Sequence, residues 1–308
     1  MRLIRIGSRG SRLAIQQTQA IEEALRKRDP SARIAVEVIE TRGDRVTDRA
    51  IAGLGGSGLF IKEIERALLD DRIDLAVHSM KDVPSALPEG LVLAATTERV
   101  DPCDALVSRR APDLDSIPTG ATVGTGSPRR RSQLLAQRPD LRVVDLRGNV
   151  PTRLEKFDQS SWEAVVLAAA GLVRLGLTAR IRSRLPVDIM VPAVGQGALA
   201  LQARTDDHAI LERVEFLNDD KTERAVAAER AFLGRVQGGC QIPMGAYAVL
   251  DGDELFLRAY VGSVDGARCV RQQARGPAGR PRDVGVALAE AMLDAGAAEI
   301  VLELAKQR

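Results

Sequence analysis

The chain has 308 residues, 45% hydrophobic and 28% charged, enough to bury two or three cores of ordinary domain size. Its 44 Lys and Arg against 42 Asp and Glu leave a formal charge of +2, and only 3% of residues are aromatic, which argues against a nucleic-acid partner held by a global positive field or by base stacking. Three cysteines at unrelated spacings exclude a disulfide framework and a CxxC motif, and two histidines argue against a multi-histidine metal centre.

Residues 3–6 read as a short strand ending at Gly7-Ser8, and a helix over 11–28 follows, stopped by Asp29-Pro30. Residues 34–39 alternate as a second strand. The glycine-rich stretch 53–58 opens a helix over 60–70; it has neither GxxxxGK[ST] nor GxGxxG spacing and reads as a lid or as an ordinary surface loop. A strand over 73–77 then lands on His78-Ser79-Met80-Lys81-Asp82. The pattern recurs in kind. Strands at 105–108 and 122–125 precede Gly126-Ser127-Pro128 and a basic helix over 129–138. A strand over 141–146 ends at Arg147-Gly148-Asn149, followed by a helix over 150–157, an apolar strand over 164–167 and a small-residue helix. This alternation predicts two α/β domains with largely parallel sheets.

Composition shifts near Asp219-Asp220-Lys221. A helix over 222–235 leads to Gly238-Gly239-Cys240, and strands over 246–250, 255–261 and 269–273 are joined by turns at Asp251-Gly252-Asp253 and Asp265-Gly266. With a last amphipathic helix over 283–294, this predicts a small α+β third domain. The N-terminal MRLIRIGSRGSRLA has no apolar run with a cleavage site, and the longest uncharged run, 189–203, is broken by Pro192, Gly195 and Gly197. A cytoplasmic protein without membrane spans is the expectation.

In open α/β sheets ligands sit beyond the carboxyl ends of the strands. Four polar clusters occupy such ends: Ser8-Arg9-Gly10-Ser11, His78 to Asp82, Thr125 to Arg131, and Arg147-Gly148-Asn149. With Arg153 and Arg174 they would line one cationic cleft between two domains, or else are solvated charge at helix ends. Of the 44 basic residues only six are Lys, leaving 38 Arg, through genome bias or through use. A planar guanidinium suits bidentate carboxylate or phosphate binding, so a cleft of this kind implies a polyanionic ligand. Asp82 follows an apolar strand, where its carboxylate either faces the cleft and stabilises a cation or caps the turn before Pro84. His78 reads as a packing or orienting residue rather than a base. Cys240, after two glycines, is either a buried small hydrophobe or an accessible thiol able to carry a covalent group; Cys103 and Cys269 read as structural.

Taken together, the segments resemble the porphobilinogen deaminase family. The motifs are Thr41-Arg42-Gly43-Asp44, the stretch AVHSMKDVP at 76–84, Val123-Gly124-Thr125, Leu146-Arg147-Gly148-Asn149, PAVGQGA at 192–198 and GGCQIP at 238–243, in family order across most of the chain. The resemblance implies two α/β domains like the lobes of type II periplasmic binding proteins and a small α+β C-terminal domain, with boundaries at 1–97 plus 198–216, 103–192, and 220–308. It implies a transferase of tetrapyrrole and haem biosynthesis that deaminates four porphobilinogen molecules and joins them head to tail into hydroxymethylbilane, releasing ammonia. A dipyrromethane cofactor, held by a thioether, falls on Cys240, and the catalytic aspartate falls on Asp82, which would stabilise the azafulvenium cation left by loss of ammonia. Lys81, Thr125, Ser127, Arg129, Arg130 and Ser11 are implied cofactor contacts; Arg9, Arg147, Arg153, Arg174 and Gln196 are implied substrate contacts. No metal, nucleic acid or membrane partner is implied, and a monomer is expected. Ser57 stands where many members have Lys, Arg12 where many have Pro, and Ser127-Pro128-Arg129 varies the usual run. The rival readings are a two-lobed protein that captures a small anion without chemistry, and a nucleic-acid binder using Arg129 to Arg131.

Overall fold

The computed structural model describes residues 2–41, 61–236 and 242–306. The glycine-rich stretch 53–58, Arg42-Gly43-Asp44, Ser57 and Cys240 lie outside the described residues. In chain order the elements are β1 (Ile4–Ser8), α1 (Arg12–Arg28), β2 (Ile34–Val38), α2 (Lys62–Leu69), β3 (Leu75–Ser79), β4 (Leu91–Thr96), β5 (Asp104–Ser108), β6 (Thr122–Gly124), α3 (Pro128–Gln137), β7 (Arg142–Val144), α4 (Val150–Asp158), β8 (Ala164–Ala168), α5 (Ala169–Arg174) and β9 (Ser183–Leu185). They continue with β10 (Leu199–Arg204), α6 (His208–Val214), α7 (Asp220–Val236), β11 (Met244–Asp251), β12 (Glu254–Gly262), β13 (Cys269–Pro277), α8 (Pro281–Met292) and α9 (Ala298–Lys306). The chain divides into two compact units, Met1–Val100 with Ala198–Glu223, and Asp101–Gly197 with Arg224–Arg308.

The first unit holds a five-stranded sheet ordered β2-β1-β3-β10-β4. β1 pairs in parallel with β2 and β3, whereas β10 runs antiparallel to both β3 and β4. Four strands therefore share one direction and β10 alone opposes them, because it arrives on the returning chain. Ile4, Ile6, Leu75, Val77 and Leu201 point to one core face and are covered by Ile21 and Leu25 of α1. Ile21 and Leu25 are four residues apart, one helical turn, which is why α1 presents them together. At the opposite ends of the strands from Ser8 and Ser79, Asp74 is fully buried among Arg2, Arg5 and Arg204, at 2.6, 2.7 and 3.4 Å. Burial alone would raise the Asp74 carboxyl; hydrogen bonds from Arg5 and Arg2 outweigh it and hold the group at about 2.

The second unit contains a sheet ordered β7-β6-β8-β5-β9, in which β6 pairs in parallel with β7 and β8, and β5 runs antiparallel to β8 and β9. This is the strand order of the first sheet, with β5 in the place of β10. The same unit holds the antiparallel meander β11-β12-β13, whose core is closed by Phe232 of α7, Leu288 and Met292 of α8, and Ile300 of α9. The two sheets are tied by the buried hydroxyls of Ser132 and Tyr260, 2.6 Å apart, and by the Ser132 hydroxyl donating to the Ser263 carbonyl at 2.6 Å. Gly266, at φ 72°, lets its turn lie against α3, where a Cβ would meet Ser132 O at 2.5 Å. Sequence periodicity does not pick out β4, β9, β10, α6 or α9. β10 carries Gln202 inside an apolar run, and α9 is set off from α8 by Gly296 at φ 102°, two residues past the predicted helix end.

Candidate active site

Because β1 and β3 are parallel neighbours, their carboxyl ends lie side by side. The chain leaving β1 carries Arg9 and Ser11, and Ser11 caps α1 by accepting from the Ala14 N–H at 3.3 Å. The chain leaving β3 makes one 3-10 turn, Met80–Asp82, anchored by buried Met80, whose N–H donates to the Ala198 carbonyl at 3.1 Å. That anchor leaves Lys81 and Asp82 exposed. Arg9, Ser11, His78 and Asp82 share the wall of one pocket of about 60 Å³. Among the described residues the Asp82 side chain accepts no hydrogen bond from the turn that follows, and the residue is exposed.

His78 is buried, and its Nε2 lies 3.1 Å from Gln202 Oε1, while Gln202 Nε2 donates to Glu65 Oε1 at 3.1 Å. With the Gln202 amide oriented by Glu65, Nε2 of His78 carries the proton. Burial, with the charge of Arg9 adding to it, pushes the imidazole down to about 4 against the Gln202 hydrogen bond, so it is neutral near pH 7. Its geometry is that of an orienting residue.

In the second unit Thr125 follows β6 and accepts the Ser127 N–H on its hydroxyl at 3.3 Å. Ser127 caps α3 by accepting from the Arg130 N–H at 3.4 Å, and Pro128 takes the first helical position, where its missing N–H costs nothing. The cap sets Arg129 and Arg130 in the first turn, and both side chains turn inward, 5% and 4% exposed. They meet on Asp104, the first residue of β5, which is fully buried. Arg129 Nη1 donates to Asp104 Oδ2 at 2.7 Å, and Arg130 Nε and Nη2 donate to Oδ1 at 2.9 and 2.7 Å. Gln196 Nε2 donates to the same Oδ1 at 2.9 Å and to the Pro102 carbonyl at 2.8 Å. Burial would raise the Asp104 carboxyl, but the two guanidiniums hold it well below the usual range. Two cations share one anion, so the buried cluster carries one net positive charge.

Arg174, at the end of α5, donates to the Gly197 carbonyl at 2.7 Å and makes no ion pair with any described residue. Burial lowers its guanidinium to about 10, still charged near pH 7. Arg147 donates to Asp145 at 2.9 Å, and Arg153 to the Gly148 carbonyl at 2.6 Å, beside Asn149, which caps α4. Of the residues expected in binding, Arg129, Arg130 and Gln196 thus form one array on Asp104, while Arg147 and Arg153 flank Gly148 on the neighbouring connection. Asp104 is the participant that sequence reasoning misses; an aspartate heading an apolar strand in a chain with an Arg-Arg pair is the only signal. Among the described residues no group of three or more His, Cys, Asp or Glu side chains is placed to hold a metal ion.

Solved structures similar to this chain include the periplasmic VFT2 domain of Bordetella pertussis BvgS, with TM-score 0.41 and 16% identity over 73% of this chain and 92% of that one. The periplasmic aliphatic sulphonate binding protein SsuA of Escherichia coli gives TM-score 0.41 and 17% identity, over 77% and 71% of the two chains. Residues 4–212 match the family model described as porphobilinogen deaminase, dipyromethane cofactor binding domain, and residues 224–294 match that of the porphobilinogen deaminase C-terminal domain. The porphobilinogen deaminase of Roseiflexus sp. (strain RS-1) is 51% identical over 291 residues, 94% of this chain and 96% of that protein. Matched along both segments and identical to a full-length relative at half its positions, the chain belongs to the porphobilinogen deaminase family.

Proposed function

We propose that Asp82 is the catalytic carboxylate of the family's reaction, the deamination and head-to-tail condensation of four porphobilinogen molecules into hydroxymethylbilane. The observation that carries this reading is the pocket at the ends of β1 and β3, where Asp82 shares a wall with Arg9, Ser11 and neutral His78. Loss of ammonia from porphobilinogen leaves a cation. An exposed carboxylate in that wall stabilises the charge and accepts hydrogen bonds from pyrrole N–H groups, an effect worth roughly 10²–10³ in rate when the charge is held in place beforehand. His78 keeps its proton on Nε2 and lines the same pocket beside Asp82.

The dipyrromethane of the family model carries acetate and propionate groups, and the donors present fit such a ligand. Arg174 is a partly buried cation without an ion pair among the described residues, and the Arg129-Arg130-Asp104 array has one positive charge in excess. Arg129, Arg130, Ser127, Thr125, Ser11 and Lys81 would hold the cofactor, with Cys240 as its attachment point. When bound, the cofactor supplies the nucleophilic pyrrole carbon on which the chain is extended. Arg9, Arg147, Arg153, Arg174 and Gln196 would hold substrate carboxylates. Arginine suits this task because it stays protonated, whereas a neutral lysine would compete as a nucleophile. Division into 1–97 with 198–216, 103–192 and 220–308, a monomeric state, cytoplasmic placement and the absence of nucleic-acid and membrane partners belong to the same reading. The cysteine spacings support cytoplasmic placement, and the near-balanced charge supports the absence of a nucleic-acid partner. Among the described residues no helix is long and apolar enough to cross a membrane.

The test is Asp82→Asn. The intact protein should retain the mass of the bound dipyrromethane and the pink colour given by aldehyde reagents, while product formation falls at least a hundredfold. An active Asn variant removes Asp82 from the chemistry. A mass equal to the bare chain in freshly prepared active enzyme removes Cys240 as the attachment point.

A further inference from the structure

Two consecutive residues on a helix point about 100° apart around its axis, yet Arg129 and Arg130 finish on one carboxylate. Both oxygens of Asp104 are used: Oδ2 takes Arg129, and Oδ1 takes Arg130 twice, Arg129 Nη2 at 3.3 Å and Gln196. The two guanidiniums also donate to backbone carbonyls, Arg129 to Val191 O at 2.7 Å and Arg130 to Val166 O at 3.3 Å. Asp104 thus gathers three side chains from two places in the chain, the first turn of α3 and the 192–197 loop.

We propose that Asp104 is a positioning residue of the carboxylate-binding array: its buried charge fixes where Arg129, Arg130 and Gln196 point, and leaves the array one negative charge short of neutrality so that a single ligand carboxylate completes it. This rests on the reading of Arg129, Arg130 and Gln196 as ligand contacts. Asp104 is fully buried and bonded to the binding side chains, so its effect falls on binding. A buried ion pair with only a structural task would instead tolerate any carboxylate that keeps the protein folded.

Asp104→Glu keeps the charge and moves it by one methylene; Asp104→Asn removes the charge and leaves two buried cations facing each other. For each variant, KM for porphobilinogen and kcat are measured per folded, dipyrromethane-loaded molecule. Asp104→Glu is expected to raise KM about tenfold with kcat within threefold of the parent, and Asp104→Asn to lose most of the bound dipyrromethane. A Glu variant with the parental KM and full cofactor content overturns the proposal whether or not the Asn variant folds. Arg129→Met and Arg130→Met separate the two levels. If they leave KM and cofactor content unchanged, the carboxylate-site reading itself fails; if they change both while Asp104→Glu changes neither, only the positioning role fails.

Discussion

Arg174→Met should separate binding from stability in one experiment. The guanidinium is partly withdrawn from water, and its return among the described residues is a single hydrogen bond to the Gly197 carbonyl. Its fall from 12.5 to about 10 corresponds to about 3 kcal/mol of unrelieved desolvation, since each tenfold step is worth ~1.36 kcal/mol. Methionine keeps the unbranched stem, removes the buried charge and forfeits one charge-assisted bond of about 1.5–3 kcal/mol. The two effects nearly cancel in the unliganded protein, so thermal unfolding should move by no more than about 3 °C. Binding has no such compensation. A substrate carboxylate that recovers the desolvation would lose about 2–3 kcal/mol, which raises KM roughly 30- to 150-fold. Steady-state formation of the tetrapyrrole gives KM and kcat, and scanning fluorimetry gives the midpoint. A midpoint lowered by more than about 5 °C with KM unchanged would show that Arg174 is structural and refute the reasoning.

His78 stays neutral down to about pH 4 in the folded chain but protonates near 6.5 when unfolded, so the unfolded state binds the extra proton and stability falls as pH drops through that window, by up to roughly 3 kcal/mol. His78→Gln should flatten the difference between urea midpoints at pH 7 and pH 4.5; an unchanged difference would remove His78 as its source. Asp74 works lower: its depressed carboxyl contributes about 2 kcal/mol above pH 4 that is lost as pH falls toward 2. Asp74→Asn should therefore cost about 3 kcal/mol or more at pH 7, with the gap to the parent narrowing in acid; a gap independent of pH contradicts the assignment. At Gly245 an added Cβ would lie 2.6 Å from Pro192 O and 2.7 Å from Val191 O, both backbone atoms. Gly245→Ala should cost about 2 kcal/mol in stability and raise KM by displacing the Gln196 loop, and a parental KM would uncouple β11 from that loop.

Local signals made much of this legible. Ser11, Ser127 and Asn149 are good caps, and each begins a helix directly beyond a strand or its connection. The strand-end clusters therefore fall where the sheets place them. β10 was hidden because its partners β3 and β4 are about 100 residues away, and because Gln202 interrupts its apolar pattern; only with His78 and Glu65 in place is that amide satisfied. The inward turn of Arg129 and Arg130 was equally invisible. Basic residues in a first helical turn ordinarily remain in water, and their burial depends on Asp104, 25 residues earlier. Aspartate 82 was legible by motif, but its freedom from a capping role required the turn itself.

The place of β10 also bears on the order in which the chain can complete itself during synthesis. The second sheet is built from residues 104–185, one uninterrupted stretch, whereas the first keeps a gap between β3 and β4 until residues 199–204 exist. A nascent chain thus presents two unpaired strand edges through the making of the whole intervening domain, and those edges invite mispairing. A chain cut before Leu199 should keep the second sheet protected from hydrogen exchange while β3 and β4 exchange freely. Of the two five-stranded sheets, the one begun first on the ribosome is the one completed last.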